Sequence, residues 1–140
     1  MNGVLVVVVV LLLAAAFGLY RRATDGRLRT KVSVGGKPAE ILAAVDVGAE
    51  LGSRATLVQF STAFCAPCRS TRVTLDEIAK MLPGVRHVEV DAEANLELVR
   101  RLDVRRTPTV LVLDGAGTVR TRAAGAPRKA DVIAALGQFL

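Results

Sequence analysis

The longest apolar stretch of the chain lies at its amino terminus. Residues 1–20 contain no charged side chain, and Gly18 alone interrupts the apolar run from Val4 to Tyr20. A 20-residue helix is about 30 Å long, which matches the hydrocarbon core of a bilayer. A buried core helix of a small domain would not need to be apolar on every side. The pattern therefore predicts a transmembrane anchor over residues 1–20.

A cleaved secretory signal is the alternative interpretation of this run. Such a signal has a basic start, a shorter apolar stretch and a small-residue cleavage site. Residues 1–3 contain no Lys or Arg, and the apolar run continues past the small residues 14–16. These departures favour an anchor that is retained, with cleavage left open.

Basic residues follow the apolar run immediately. Residues 21–31 hold five Lys or Arg and one acid, and such flanks stay on the cytoplasmic side of a membrane. We therefore predict a single-pass protein of the cell membrane with its domain on the cytoplasmic side; an extracytoplasmic domain is the alternative. The polar residues 21–36 are interpreted as a basic juxtamembrane linker, and residues 37–140 as the folded domain.

Helical and extended patterns alternate along the folded domain. Helices are predicted over Pro38–Leu51, Cys65–Leu82, Ala94–Leu102 and Lys129–Leu140, and strands over Thr56–Ser61, His87–Asp91, Thr109–Leu113 and Thr118–Ala123. The positions predicted to be buried are Ile41, Leu42, Val45, Val73, Ile78, Met81, Leu82, Val88, Val90, Leu98, Val99, Leu102, Val132, Ile133, Leu136 and Phe139. This order predicts parallel strands with crossover helices, followed by an antiparallel edge hairpin: an α/β sandwich.

Composition narrows the class of protein. The 140 residues suit one domain, and 51% hydrophobic residues exclude a disordered chain. The net charge of +6 resides mainly in residues 21–31, and the rest of the chain is nearly balanced. A nucleic-acid-binding domain clusters basic residues on one face of its fold. We therefore predict no nucleic-acid partner.

Both cysteines of the chain lie in one C-x-x-C sequence, from Cys65 to Cys68, at the start of a predicted helix. In a chain of alternating strands and helices this spacing is typical of a redox-active dithiol. The helix N-terminus and the nearby Arg69 stabilise a thiolate on Cys65, and the thiol pKa in such motifs falls from about 8.5 to about 7. Cys68 is placed to resolve a mixed disulfide on Cys65, and Pro67 stiffens the turn between them.

A metal site is the weaker interpretation of the same cysteines. A structural zinc site takes four ligands, whereas the chain has two cysteines and one histidine, His87. Two buried structural cysteines are a further alternative. We expect no metal, and we expect His87 to be a strand-end residue without a catalytic role.

Three segments agree in order and spacing with one known family. They are VQFSTAFCAPCRSTRVTLDEIA, RRLDVRRTPTVLVLDGAGTV and GAPRKADVIAALGQFL. Together they contain the C-x-x-C, Thr107 and Pro108 before a strand, and Gly125 before the last helix. On these motifs residues 55–140 resemble the thioredoxin family, and the whole chain looks like small membrane-anchored thioredoxin-like proteins of bacteria. The resemblance implies a three-layer α/β/α sandwich with a mixed central sheet.

The resemblance also implies a substrate groove. The peptide bond between Thr107 and Pro108 should be cis and face the cysteines, with Gly125 near the same surface. Phe64, Ala66 and the Thr107–Pro108 loop should form an apolar collar that docks a protein substrate.

Three residues depart from the family pattern. Phe64 stands where Trp is usual, and Ala66 stands where Gly is usual. Gln59 replaces a buried acid that is thought to take the proton from the second cysteine, and an amide does not titrate. We expect Gln59 in the central strand beneath the cysteines, with Cys68 deprotonated more slowly or through water. The reduction potential of the family is therefore not carried over.

These inferences predict a membrane-tethered thiol–disulfide oxidoreductase of the protein-disulfide-reductase type. Its substrates would be protein thiols and disulfides, its electron donor a dithiol protein or a flavoprotein reductase, and no metal or organic cofactor is implied. The alternatives are an extracytoplasmic thiol–disulfide exchange protein of the cell envelope and a non-catalytic thioredoxin-fold adaptor.

Overall fold

A computed structural model of the protein describes residues 2–30, 40–138 and 140. The helices are α1 (Asn2–Thr24), α2 (Ala44–Val47), α3 (Ala66–Met81), α4 (Leu96–Arg101) and α5 (Lys129–Leu136). The strands are β1 (Leu28–Thr30), β2 (Ala55–Ser61), β3 (Val85–Asp91), β4 (Thr109–Asp114) and β5 (Val119–Ala124).

The strands of the described residues form one mixed sheet in the order β1-β5-β4-β2-β3. Strand β2 pairs with β3 in parallel and with β4 in antiparallel, and β5 pairs antiparallel with both β4 and β1. All seven residues of β2 are buried, because it has a neighbour on each side and helices over both faces. The predicted combination of parallel strands and an antiparallel hairpin is confirmed.

Helices cover both faces of this sheet, so the fold is the predicted three-layer sandwich. On one face, α3 and α5 bury Leu75, Ile78, Val132 and Leu136 against Ala55, Leu57, Val110 and Val112. On the other face, Leu42, Val47, Leu98 and Leu102 pack against Val58, Phe60, Leu111 and Leu113. Neighbouring residues of β2 alternate between the two clusters, as the pleat of a strand requires.

The helix predicted over residues 38–51 is wrong in most of its length. Residues 38 and 39 lie outside the described residues, and of the rest only Ala44–Val47 are helical. Ile41 instead forms a β-bridge to Thr118, which straightens the chain before the helix. Gly48, at φ 69°, ends the helix after one turn in the left-handed conformation that glycine adopts readily.

The predicted buried faces need correction at several positions. Ile41 is exposed and lies in a β-bridge instead of a helix, and Val45 lies on the outward side of the single turn of α2, whose buried residue is Val47. Ile133 and Val73 also face outward. The buried residues of α3 are Cys68, Thr71, Leu75 and Ile78. This stripe begins at a cysteine and a threonine, so counting only aliphatic residues rotated the predicted face and wrongly included Met81, which is exposed. The inward positions predicted for β3, α4 and the rest of α5 are buried or half-buried, except Phe139, which is outside the described residues.

The segment interpreted as a linker is partly structured. Helix α1 continues to Thr24, and Leu28–Thr30 form strand β1, which pairs with β5 in the register Leu28 to Ala123. A strand of three residues is too short to show a period of two, so the pattern did not predict it. Residues 31–36 lie outside the described residues.

Helix α1 has the composition of a membrane span. Within the described residues, Gly3–Thr24 is the helix that is long and apolar enough to cross a bilayer, and none of it is buried against the domain. A signal sequence near an amino terminus would have the same properties.

Candidate redox site

The two cysteines form a disulfide where β2 gives way to α3. Cys65 is the N-cap of α3 and Pro67 lies in its first turn, where a missing N–H removes no helical hydrogen bond. The S–S distance is 2.00 Å and the Cα–Cα distance 5.2 Å. Cys65 is half-buried, whereas Cys68 is 2% exposed. This is the exposed and covered arrangement expected from the motif.

Gln59 lies directly behind the covered cysteine. It is in the central strand β2, is 0% exposed, and its Nε2 donates to the backbone oxygen of Cys68 and to Oγ of Ser61, both at 2.9 Å. A carbonyl only accepts hydrogen bonds, so the amide nitrogen must face α3. Oε1 is then left without a hydrogen-bond partner within the described part of the chain. The predicted position of Gln59 beneath the cysteine pair is confirmed.

A carboxylate stands beside Gln59 on the neighbouring strand. Glu89 of β3 is in register with Gln59 and pairs with Arg72 of α3 through two contacts of 2.7 Å. Burial raises the pKa of Glu89, but hydrogen bonds from Arg72 and Ser61 outweigh it and bring the pKa below its usual range. An ionised carboxylate is therefore connected to Gln59 through Ser61.

Sequence reasoning missed this carboxylate. In parallel strands of equal pleat, the residue in register with Gln59 faces the same helix, so the strand pairing was the signal that would have identified Glu89. His87, two residues earlier on the same face, contacts Asp76 through Nδ1 at 2.5 Å. It lies in the strand interior and not at its end, since β3 begins at Val85.

The loop before β4 carries a cis peptide bond between Thr107 and Pro108, as the resemblance implied. Thr107 Oγ1 lies 3.2 Å from Thr62 Oγ1, in the turn that leads to the cysteines. The backbone N–H of Gly125 donates to the oxygen of Pro108 at 2.7 Å. Gly125 has φ 103°, a backbone conformation that residues with a side chain rarely adopt, which favours glycine at this position. Three motifs far apart in sequence therefore meet at one end of the sheet.

The surface around Cys65 is open. Phe64 is 100% exposed, and Ala66, Pro67 and Arg69 on the first turn of α3 are exposed as well. An exposed aromatic ring next to a reactive sulfur is unusual for a solvent-facing surface and typical of a contact surface.

The described residues do not bring metal ligands together. Across residues 2–30, 40–138 and 140, no group of three or more His, Cys, Asp or Glu residues has a geometry that would hold a metal ion. The chemistry that the described site carries is that of its disulfide.

A mixed sheet between two helical layers, with a disulfide at the start of the helix after the central strand and a cis proline beside it, defines a thioredoxin-fold redox site. The family model named Thioredoxin matches residues 43–138. The chain belongs to the thioredoxin family.

Individual relatives agree over part of the chain. Thioredoxin H5 of Oryza sativa subsp. japonica is 33% identical over 60 residues, which cover 43% of this chain and 44% of that protein. Thioredoxin 1 of Nostoc sp. is 32% identical over 60 residues, covering 42% of this chain and 56% of that one. The chain thus spans about half the length of the curated relatives it matches.

Solved structures show the same fold over more of the chain. Thioredoxin-2, a component of the malaria parasite protein secretion machinery, superposes with a TM-score of 0.58 at 19% identity, covering 75% of this chain and 98% of that chain. Fasciola hepatica thioredoxin superposes with a TM-score of 0.55 at 25% identity, covering 64% of this chain and 84% of that chain.

Proposed function

We propose that this protein is a membrane-tethered thiol–disulfide oxidoreductase that reduces disulfide bonds of other proteins. The observation that carries the proposal is the asymmetry of its disulfide: Cys65 is accessible at a helix N-terminus, and Cys68 is covered behind it. A dithiol serving only to staple the fold would gain nothing from an accessible sulfur beside an exposed phenylalanine.

In the proposed reaction the Cys65 thiolate attacks one sulfur of a substrate disulfide. The substrate S–S bond breaks, a mixed disulfide to Cys65 forms, and one substrate thiolate leaves and takes up a proton. The thiolate of Cys68 then attacks the sulfur of Cys65, which releases the second substrate thiol and forms the Cys65–Cys68 disulfide. Two electrons pass to the substrate, and a dithiol protein or a flavoprotein reductase must return two electrons to restore the dithiol.

The start of α3 favours the first step. The first N–H groups of a helix have no partner inside the helix and carry partial positive charge, which stabilises a thiolate at the N-cap. Arg69, exposed one turn further along, adds positive charge to the same end of the helix. The Cys65 thiol should therefore ionise at lower pH than that of Cys68.

The second step is where this site differs from its family. Gln59 occupies the place of the titrating acid and holds the Cys68 backbone through a neutral amide. Because the amide of Gln59 does not titrate, the proton of the Cys68 thiol must pass to water or to a carboxylate elsewhere. Glu89, joined to Gln59 through Ser61, is the ionised group in this polar network.

The groove for the substrate would lie between the collar at Phe64 and Ala66 and the loop of Thr107 and Pro108. The hydrogen bond from Gly125 to Pro108 braces the back of this loop, so the backbone of Thr107 remains available to an extended substrate segment. We propose no metal or organic cofactor for this chemistry.

Helix α1 would hold the enzyme in the cell membrane, with residues 1–20 as the anchor. The basic residues that follow place the domain of residues 37–140 on the cytoplasmic side. An extracytoplasmic domain remains the alternative, because a signal sequence shares the composition of α1. Labelling of Cys65 in intact cells by a membrane-impermeant maleimide after reduction would refute the cytoplasmic assignment, and shielding of Cys65 would support it.

The activity is tested by reduction of insulin with dithiothreitol, using the full chain in detergent. The wild-type protein should accelerate precipitation of the insulin B chain, and Cys65→Ser should abolish the acceleration. A wild-type protein that binds partners but does not accelerate reduction would support the non-catalytic adaptor instead.

A further inference from the structure

A cavity of about 740 Å³ lies between the end of α1 and the folded domain. One wall belongs to the last turns of α1 and carries the rings of Phe17 and Tyr20. The opposite wall belongs to strand β5 and to the loop that precedes β4. The cavity therefore joins an apolar helix surface to a polar domain surface.

The residues that line the cavity carry an excess of positive charge. Five arginines line the cavity, namely Arg21, Arg27, Arg105, Arg106 and Arg122, against two aspartates. Asp25 pairs with Arg106, and Asp103 pairs with Arg105 at 2.9 Å. The Nε group of Arg122 is buried and has no hydrogen-bond acceptor within the described residues. Among the described residues no carboxylate pairs with Arg21, Arg27 or Arg122, although the guanidinium of Arg122 also donates to the backbone oxygen of Leu102. The cavity lining therefore carries cations without a counter-charge, which suit an anion.

The position of the cavity along α1 sets the kind of anion. Gly3–Thr24 spans 22 residues, or about 33 Å at 1.5 Å per residue, which is close to the thickness of the hydrocarbon core. Its last turns therefore lie at the depth of the lipid phosphates. Phe17 and Tyr20 lie closer to the centre of the bilayer than the arginines, at the depth of the acyl-chain segments nearest the headgroups.

A short connection holds the folded domain close to the end of α1, and therefore close to the depth of the lipid phosphates. Only residues 25–27 separate α1 from β1, and the N–H of Gly26 donates to the oxygen of Ala124 at 3.0 Å. The side of the domain that carries Arg105, Arg106 and Arg122 is therefore held at the membrane surface by a connection of three residues.

We propose that this cavity binds the headgroup of an anionic phospholipid of the surrounding bilayer, with its acyl chains along Phe17 and Tyr20. The proposal rests on the membrane tether of the proposed function. The phosphodiester of a phospholipid supplies a negative counter-charge for Arg21, Arg27 and Arg122. The acyl chains of the same lipid molecule would contact the apolar wall of the cavity. Arg106 directly precedes Thr107, so the bound lipid would keep the substrate loop facing the bilayer surface.

The only tyrosine of the chain provides a local probe. The sequence contains one Tyr and no Trp, so ultraviolet emission of the full chain reports Tyr20 in the cavity wall. The protein is reconstituted in phosphatidylcholine bilayers that contain a small fraction of lipid brominated near the headgroup end of its acyl chains. The measurement compares quenching by brominated phosphatidylglycerol with quenching by brominated phosphatidylcholine.

We expect phosphatidylglycerol to bind beside Tyr20 at least fivefold more tightly than phosphatidylcholine, since one arginine near a membrane surface contributes about a fivefold factor. The double variant Arg21→Gln, Arg27→Gln should lose most of this preference. The matched control is Arg22→Gln, Arg100→Gln, which removes the same charge, half of it from the same helix end, without touching the cavity.

Equal quenching by the two lipids would overturn the proposal. An equal loss of preference in both double variants would also overturn it, since general attraction to the surface would then explain the binding. Displacement of phosphatidylglycerol by millimolar glycerol phosphate would show a site for free phosphate esters and refute the assignment to lipid.

Two further measurements separate this proposal from the proposed function. A chain that alkaline carbonate extracts from membranes refutes the tether and this site with it. A retained chain that reduces insulin but shows no lipid preference refutes the lipid site alone, because neither cysteine lines the cavity.

Discussion

The two sulfurs of the site lie in opposite surroundings, although only two residues stand between the cysteines in the sequence. On the side of Cys65 the surface is open, no side-chain hydrogen bond from the N-cap residue caps α3, and Phe64 stands fully in solvent. On the side of Cys68 the surroundings are closed. The cysteine is buried, and Nε2 of Gln59 donates hydrogen bonds to the Cys68 backbone oxygen and to Ser61. The open side is suited to meeting different partners, and the closed side to setting the rate and direction of one internal step.

The closed side also carries a change relative to the family pattern, the replacement of a buried acid by Gln59, and the fold is retained. A neutral amide in place of a buried acid removes the cost of burying a charge, which is several kcal/mol for an unpaired ion. The same exchange removes the nearest proton acceptor from Cys68. The carboxylate in this network, Glu89, lies one strand away and is already paired with Arg72. The two departures on the open side, Phe64 and Ala66, change the docking surface and add or remove no titrating group.

The largest expected effect separates the roles of the two cysteines. Cys68→Ser should accumulate a mixed disulfide through Cys65, because attack still occurs but resolution is lost, whereas Cys65→Ser should accumulate little. Alkylation of the two single variants by iodoacetamide between pH 5 and 9 should show the lower thiol pKa and a rate at least about tenfold higher at Cys65. Equal rates, or a lower pKa at Cys68, would reverse the assignment.

A carboxylate on the closed side should change both rate and stability. In Gln59→Asp we expect faster turnover at neutral pH and a loss of about 1–3 kcal/mol in the free energy of unfolding of the oxidised protein. Burial raises the pKa of such an acid above its unfolded value, so this variant should lose stability as pH rises above about 4. Urea unfolding across pH measures this.

Gln59→Asn is the matched control, since asparagine has the size of aspartate and no charge. If both variants show the same turnover and the same pH dependence of stability, side-chain length and not ionisation explains the effect.

On the open side, Phe64→Ala should weaken substrate docking and leave the chemistry intact. Removing one exposed aromatic contact should raise KM for a protein disulfide by about fivefold, close to 1 kcal/mol. Reduction of a small aromatic disulfide should be unchanged, because it needs no docking surface. A similar loss with both substrates would place Phe64 in the chemistry instead.

The smallest expected effect concerns Glu89. Its pKa is lowered in the folded state, so its contribution to stability is present above about pH 4.3 and is lost as pH falls below that value. Because Arg72 is half exposed, Glu89→Gln should cost at most about 1 kcal/mol at pH 7 and flatten the acid side of the stability profile.

Arg72→Gln removes the same pair from the other partner. The double variant should then be no less stable than the worse single variant. An unchanged acid side in Glu89→Gln would show that the pair contributes nothing to folding.

The parts of the site predicted from sequence are those that depend on spacing along the chain. The positions of Cys65 and Cys68 at a helix start follow from a few neighbouring residues, and the position of Gln59 under them followed from the family resemblance. The cis bond at Pro108 followed from a family motif of the same kind. Glu89 could not be found in this way, because its role depends on the register between β2 and β3.

The errors in the fold have a similar origin. The pattern around Ile41 and Val45 fits a helix locally, but the bridge from Ile41 to Thr118 pairs residues far apart in sequence. The buried face of α3 was rotated because Thr71, a polar residue, is one of its inward positions. In each case a contact between distant segments decided a choice that local pattern left ambiguous.

Strand β1 has a consequence for how the domain behaves when it is separated from α1. Its pairing occupies the outer edge of β5 from Thr121 to Ala123. Unpaired backbone groups on such an edge are a template for strands of other molecules, and natural proteins cover or charge them to avoid aggregation. A soluble form that starts after Thr30 would expose this edge, whereas one that starts at Gly26 keeps it covered. The residues next to α1 thus leave this side of the sheet with an edge strand of only three residues, and short edge strands are one way in which proteins limit such pairing.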